Sequence, residues 1–230
     1  LAAFVAYCRA APCFSPLALV CGIVALLSKS TAVVLPALLL LYELLLAVDR
    51  TGRIRRLLPL GLAAAIYIWL TRALLQEALG AEAVRPWGQQ VLTQAKALAY
   101  YAKLLVFPWP LSVEHQFRVS ESVNEAAVLA ALFLVGTLAW CLWRGGAWGR
   151  FWGGWSLVVM APTLIVPLNV LVNERRLYPV LIAFYGLLSV WWPECRCRRW
   201  AWGCVGILGL SVLGGLSLQR SQDWADEESL

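Results

Sequence analysis

The sequence predicts an all-α fold, a polytopic transmembrane helix bundle of about seven spans plus the tail of one more, with an amphipathic helix on its outer face. Three observations predict it. The 230 residues are 61% apolar and only 14% charged, with a mean hydropathy of +0.73; a soluble domain is about 45–50% apolar and about 25% charged. Apolar runs recur at the length a bilayer crossing needs, about 17–25 residues. The arginines between those runs fall into alternate loops, as a membrane topology requires.

Taken in order, residues 1–7 read as the tail of a span. Complete candidates follow at 12–28, 31–48, 57–75, 126–143, 151–172, 177–192 and 200–218. Pro193 ends the sixth, because proline carries no amide donor and fixes φ. Trp140, Trp143, Trp148, Trp152, Trp191, Trp192, Trp200 and Trp202 gather at span ends, as in the aromatic belts of helices that cross two interfaces. Residues 91–107 are long enough to cross but contain Gln94, Lys96 and Lys103, with the apolar residues clustered on one helical face. That pattern predicts an amphipathic helix lying on the outer surface. Phe107-Pro108-Trp109-Pro110 ends it.

Orientation follows from the short loops. Arg9, then Arg50, Arg53, Arg55 and Arg56, then Arg144 and Arg150, then Arg196, Arg198 and Arg199 all fall on one side, which is read as cytoplasmic. Were 91–107 to cross, the last two groups would move outside, against the charge rule. The outer side then carries residues 28–31, the long segment 76–125, the turn 173–176 and the C-terminal stub. The opening LAAFVAYCRA lacks an initiator Met and starts inside an apolar run, which predicts an internal piece of a longer protein. The expected division is a transmembrane domain over 1–218 and the start of a linker over 219–230.

The net charge of +6 and pI near 9.1 do not indicate a nucleic-acid partner. The arginines sit in loops between apolar runs, where they set topology against anionic lipid. Cys8, Cys13, Cys21, Cys141 and Cys204 lie in or beside spans and read as small hydrophobes. Cys195 and Cys197 form C-R-C beside a membrane end, but His115 is the only histidine, so no zinc set is completed and no divalent metal is supported. No cofactor motif, internal repeat or low-complexity tract is present.

Ionisable residues at span ends are costly and point to function. On the outer side they gather in three places. In Leu27-Ser28-Lys29-Ser30-Thr31 two spans meet with almost no loop. Ser30 or Thr31 can N-cap the following helix, whose free amides favour an anion, and Lys29 adds a full positive charge. An ordinary tight turn with a snorkelling Lys29 is the competing reading. In Asn173-Glu174-Arg175-Arg176-Leu177-Tyr178-Pro179, Arg175 and Arg176 suit phosphate or carboxylate, and Glu174 can orient an arginine or act as a base. The third place is the long outer segment, where Glu114 and His115 could supply acid–base chemistry, against a plain solvated loop. Glu43, inside the 31–48 span toward its cytoplasmic end, is expected to pair with a neighbouring Arg or to snorkel.

LLSKSTAVVLPALLLLYELL resembles the "SKE-x-x-x-x-x-P…YE/YD" span of GT-C glycosyltransferases, and more narrowly of the transmembrane and tetratricopeptide-repeat O-mannosyltransferases and their bacterial relatives. YYAKLLVFPWPLSVEHQF resembles their "Y-L-x-x-L-x-x-P-x-x-L-S-x-D-Y" stretch, PLNVLVNERRLYPVLIAFYGLL their "N…x-E-R-x-L-Y-L-P-S-x-G" signature, and SLQRSQDWADEESL their "R-x-x-x-W-x-D-x-x-S-L" segment leading into the repeats. The four occur in family order. The resemblance implies a transferase using a polyprenyl-phosphate-linked sugar, with a protein or glycan acceptor and a periplasmic or luminal site. It implies a bacterial inner membrane, or the ER membrane in a eukaryote. In such enzymes the acceptor hydroxyl displaces the lipid phosphate at the anomeric carbon. Lys29, Arg175 and Arg176 fit the phosphate role, and Tyr178 the phosphate or sugar. The family's acidic pair, which activates the acceptor, would fall before Leu1. Its Glu after Lys is here Ser30, and its "L-P-S" is shortened to Pro179-Val180.

Two other classes compete. A non-catalytic membrane anchor or complex subunit derived from the same fold accommodates Ser30. A transporter or channel fits less well, because an ion path needs ionisable groups in the middle of the spans.

Overall fold

A computed structural model describes residues 1–11, 13–47, 52–80, 85–108, 117–166, 170–191 and 199–222. It divides into two compact units, 1–190 and 191–230. Among the described residues every regular element is helical. The first unit contains α1 (Ala2–Ala10), α2 (Pro16–Ser28), a 3-10 turn (Ser30–Val34), α3 (Leu35–Leu45), α4 (Arg53–Gly80), α5 (Trp87–Val106), α6 (Ala126–Arg144), α7 (Gly146–Ile165), a second 3-10 turn (Glu174–Leu177) and all but the last residue of α8 (Tyr178–Trp191). The second unit is described through α9 (Arg199–Gln222), whose Ile207, Leu208, Val212 and Leu218 are exposed.

Each predicted span has its helix, but the lengths differ. Two helical stretches are long and apolar enough to cross a membrane: Arg53–Leu74 within α4, and α6. Only 11% of each apolar window is buried. Leu58, Leu62, Ile66, Trp69, Leu70 and Leu74 lie on the outside of α4, where a water-soluble protein would carry polar side chains. Exposed apolar surface on that scale is suited to contact with a membrane or another protein. The helix over 12–28 shortens to 13 residues, about 20 Å at 1.5 Å per residue. It starts late because Ser15 caps it, Oγ accepting from the Ala18 amide at 3.1 Å, with Pro16 in the first turn.

Packing fixes the direction of the helices. Leu39 of α3, Ala18 of α2, Leu60 of α4 and Tyr7 of α1 form one buried cluster. Leu38, Phe151, Trp155 and Ala183 form a second, joining α3, α7 and α8. Five aromatic rings fill it: Phe4 meets Trp155 edge-on at 5.2 Å between centroids and Tyr42 at 5.7 Å, and Phe151 meets Trp152 at 4.7 Å. Tyr42, near the end of α3, meets Phe151 near the beginning of α7 at 6.4 Å between ring centroids, Leu41 lies against Gly154 one turn on, and Val34, ahead of α3, shares the cluster with Val158 and Val159 near the end of α7. The two helices therefore run antiparallel. The reversal between α6 and α7 needs no loop. The Gly145 amide closes α6 on the Cys141 carbonyl at 2.9 Å, and Gly146 takes φ +72°, a conformation that glycine adopts without steric cost.

Helix α5 departs from the expected surface helix in its polarity. Gln90, Thr93, Gln94, Ala97, Tyr101 and Leu104 are its buried residues. Trp87, Val91 and Val106 are exposed. The polar side chains face protein because protein supplies their partners. Gln90 Nε2 donates to the Leu164 carbonyl at 3.1 Å, and Thr93 Oγ1 accepts from the Ser120 amide at 3.0 Å.

Candidate functional site

The two turns singled out in the sequence, 28–31 and 173–176, lie at one end of the first unit. Val34 closes the first 3-10 turn and packs in the cluster of Leu38, Trp155 and Ala183. Trp155 Nε1 donates to the Pro179 carbonyl at 3.0 Å, just after the second turn. Val159 touches this cluster and also the one built from Leu171, Val172, Leu177 and Val180. Trp155 and Val159 thus tie the two turns together. At the other end, the C-terminal parts of α1 and α3 meet the starts of α4 and α7, which places Arg9, Arg53, Arg56, Arg144 and Arg150 away from the turns.

At the first turn, α2 ends on Ser28, whose Oγ donates to the Val24 carbonyl at 2.7 Å. Lys29 is extended, with φ −154° and ψ 125°, and its amide still donates to the Ala25 carbonyl at 2.9 Å. Lys29, Ser30 and Thr31 are all exposed. Neither Ser30 nor Thr31 caps the following helix, contrary to expectation. The chain makes a 3-10 turn with no side-chain cap, and α3 begins only at Leu35. Pro36 explains the delay: it has no amide to donate back into an earlier turn, so it sits in the first turn of α3. The anion site expected from a capped helix start is therefore reduced here to Lys29 and the amides of a short turn.

The second turn is more elaborately held. Asn173 is extended, and its Oδ1 accepts from the Arg175 amide at 3.0 Å and from Arg175 Nε at 3.3 Å. Arg175 is exposed, and its terminal nitrogens have no partner among the described residues. Arg176 is used differently. Its Nη1 donates to the Leu171 carbonyl at 2.9 Å and its Nη2 to the Val170 carbonyl at 2.8 Å. The two arginines look alike in the sequence, yet one closes the loop on itself and the other points its charge outward. Tyr178 is 69% exposed.

Helix α5 borders this turn. The Tyr101 hydroxyl accepts from the Asn173 amide at 3.0 Å and donates to the Asn173 carbonyl at 3.4 Å. Burial pushes the Tyr100 hydroxyl above its ordinary pKa, and the negative charge of Glu174 pushes it further. Lys103 lies 5.6 Å from the centre of the Tyr100 ring. Sequence reasoning missed Tyr101 as a neighbour of the turn; the signal present was only the pair of tyrosines in the amphipathic run.

Glu114 and His115 lie outside the described residues. The chain that follows returns to α5 through Lys96, which donates to the Arg118 carbonyl at 3.1 Å, pairs with Glu125 at 3.5 Å and lies 5.4 Å from the centre of the Phe117 ring. Among the described residues no group of three His, Cys, Asp or Glu side chains could hold a metal ion. Cys195 and Cys197 lie outside those residues.

Glu43 does pair with arginine, as expected, and more tightly than a snorkelling residue would. It is fully buried with Arg56, and Arg53 and the Tyr7 hydroxyl complete the group.

Comparison with known proteins returns no match to this chain, whether to a family model, a curated protein or a solved structure.

Proposed function

We propose that this chain is the phosphate-holding part of a GT-C-type membrane glycosyltransferase, built as a bundle of about seven spans that presents Lys29 and Arg175 on the periplasmic or luminal face. One observation carries the reading. The turns that bear Lys29 and Arg175, nearly 150 residues apart in sequence, sit at the same end of the helical unit, away from its arginine-rich end. A membrane protein has no topological need for positive charge at the outer end. An exposed guanidinium and an exposed ammonium at that place suit a lipid phosphate at the membrane surface.

The reaction is a displacement. The acceptor hydroxyl oxygen forms the new bond to the anomeric carbon as the bond from that carbon to the phosphate oxygen breaks. The hydroxyl proton passes to a carboxylate, and the polyprenyl phosphate leaves with the bonding electrons. Negative charge grows on that phosphate in the transition state, where fixed cations act most strongly. Arg175 and Lys29 supply them, Tyr178 offers a hydroxyl beside them, and Arg176 keeps the turn closed through the Val170 and Leu171 carbonyls. The test is sugar release from a polyprenyl-phosphate donor by the native full-length protein in vesicles. Arg175→Ala and Lys29→Ala should each abolish transfer while leaving membrane insertion intact. Unchanged turnover in both variants would sink the phosphate clamp.

Ser30 supports a second reading, a non-catalytic anchor derived from the same fold, because the motif it resembles has Glu there. In that case the wild-type protein releases no sugar, and Ser30→Glu does not restore release.

A further inference from the structure

We infer that Tyr101 and Asn173 are positioning residues for Arg175, so that α5 sets where the guanidinium stands; this rests on the phosphate role proposed for Arg175. The Tyr101 hydroxyl makes both an accepting and a donating bond to the backbone of Asn173, at 3.0 and 3.4 Å, across 72 residues of sequence. This two-way contact fixes the peptide plane and φ of Asn173. Asn173 Oδ1 in turn holds the Arg175 amide at 3.0 Å and Nε at 3.3 Å. With Nε tethered, the Arg175 side chain loses freedom before any ligand arrives, so less entropy remains to be lost on binding. The tyrosine is suited to this task. Its ring is buried in the cluster of Leu104, Met160, Val172 and Leu177, so the hydroxyl is delivered from a fixed base. Arg176 shows what the turn looks like when a guanidinium serves only the fold, with both terminal nitrogens bound to backbone carbonyls. Arg175 is tethered at one nitrogen and open at the others, the arrangement expected of a group that is held ready for a ligand.

The full-length protein in phosphatidylcholine nanodiscs, with polyprenyl monophosphate as probe, tests both the coupling and its consequence. Tyr101→Phe keeps the ring and removes only the hydroxyl. Amide exchange over residues 173–177 should accelerate in Tyr101→Phe and Asn173→Ala, and stay slow in Asn173→Asp, which keeps an accepting oxygen. Unchanged exchange in Tyr101→Phe overturns the coupling. Binding should weaken about tenfold in Tyr101→Phe, as for one lost hydrogen bond to a charged group's support. In an Arg175→Ala background, Tyr101→Phe should cause no additional loss. Losses that add independently overturn the positioning role, because a merely structural tyrosine weakens binding whether or not Arg175 is present. If Arg175→Ala itself leaves binding unchanged, the phosphate reading fails, while the exchange result still decides whether Tyr101 governs the turn.

Discussion

Arg56 Nη2 lies 2.9 Å from Glu43 Oε1 and 3.1 Å from Oε2, with 3% and 0% of the two side chains exposed. The contact joins the end of α3 to the beginning of α4. Tyr7 of α1 donates its hydroxyl to the same Oε1 at 2.7 Å, and Arg53 approaches Oε2 at 3.6 Å while donating to the Glu43 carbonyl at 2.7 Å. One carboxylate therefore gathers three helices.

Removing one partner of such a pair leaves a buried charge without compensation, which costs about 3–5 kcal/mol. Glu43→Ala and Arg56→Ala should each lower the thermal midpoint in detergent sharply. Glu43→Leu/Arg56→Met, which removes both charges and keeps the volume, should lose much less. A double variant as unstable as the singles argues that geometry, not charge, is what the group supplies.

Arg175 and Arg176 should separate cleanly. Arg176→Ala strips donors from the Val170 and Leu171 carbonyls and should destabilise the protein by about 1–3 kcal/mol. Arg175→Ala should leave the unfolding midpoint nearly unchanged and affect only phosphate binding. Paired measurement of midpoint and binding checks this; equal loss of stability in both would remove the distinction.

Gly186 and Gly22 make a similar contrast. A Cβ at Gly186 runs into the indole of Trp152, while at Gly22 the nearest atom is the flexible tip of Leu60. Gly186→Ala should therefore cost about 1–3 kcal/mol of overpacking. Gly22→Ala should be cheaper, since a terminal methyl can swing aside. Comparing their unfolding midpoints tests the ranking.

Glu125 accepts from the Glu121 amide at 2.8 Å and the Ser122 amide at 3.3 Å. The Glu121 amide is the chief cause of its pKa standing below the ordinary glutamate value, and the Lys96 charge adds to the same effect. A depressed carboxyl pKa stabilises the folded loop above the unfolded value and loses that contribution as pH falls through the folded one. Amide exchange at Glu121 and Ser122 should stay slow at neutral pH and accelerate once the pH drops below the usual glutamate range. Glu125→Gln, which keeps an accepting oxygen but cannot titrate, should lose the pH dependence of protection, Glu125→Ala should be unprotected throughout, and pH-independent protection in the wild type would contradict the role.

The outward apolar side of α5 should touch acyl chains. A spin label at Val91→Cys is expected to be accessible to oxygen and shielded from a polar nickel reagent, with the opposite result at Lys103→Cys. Equal nickel access at both sites places the helix in water.

Much of the helical pattern was legible because span hydropathy is a local property, carried by runs such as 126–143 and 57–75. The pairing of Glu43 was legible too, since a carboxylate in an apolar span has few ways to exist. Other features had no local signature. Tyr101 and Tyr7 act through hydrogen bonds to residues 72 and 36 positions away, and a tyrosine in an apolar run looks the same whatever its hydroxyl meets. The Ser30 and Thr31 caps failed because Pro36, five or six residues downstream, moved the helix start. The polarity of α5 could be read as a period but not as a direction, because the sequence does not say whether lipid or protein lies on a given side. Arg175 and Arg176 are adjacent and identical in the sequence, and only the folded turn gives one Asn173 Oδ1 and the other two backbone carbonyls.

The partners of α5 all emerge after it: Ser120 for Thr93, Leu164 for Gln90 and Asn173 for Tyr101. A ribosome adding about 5–20 residues per second needs roughly 4–15 s to pass from Gln90 to Leu164. Throughout that interval the Gln90 amide and the Tyr101 hydroxyl lack their protein partners. The helix must therefore wait with part of its polar side unpaired, and can complete its docking only when α7 and the chain beyond have been synthesised. Its docking belongs among the last events in the birth of the molecule, and the Arg175 turn is completed in the same step.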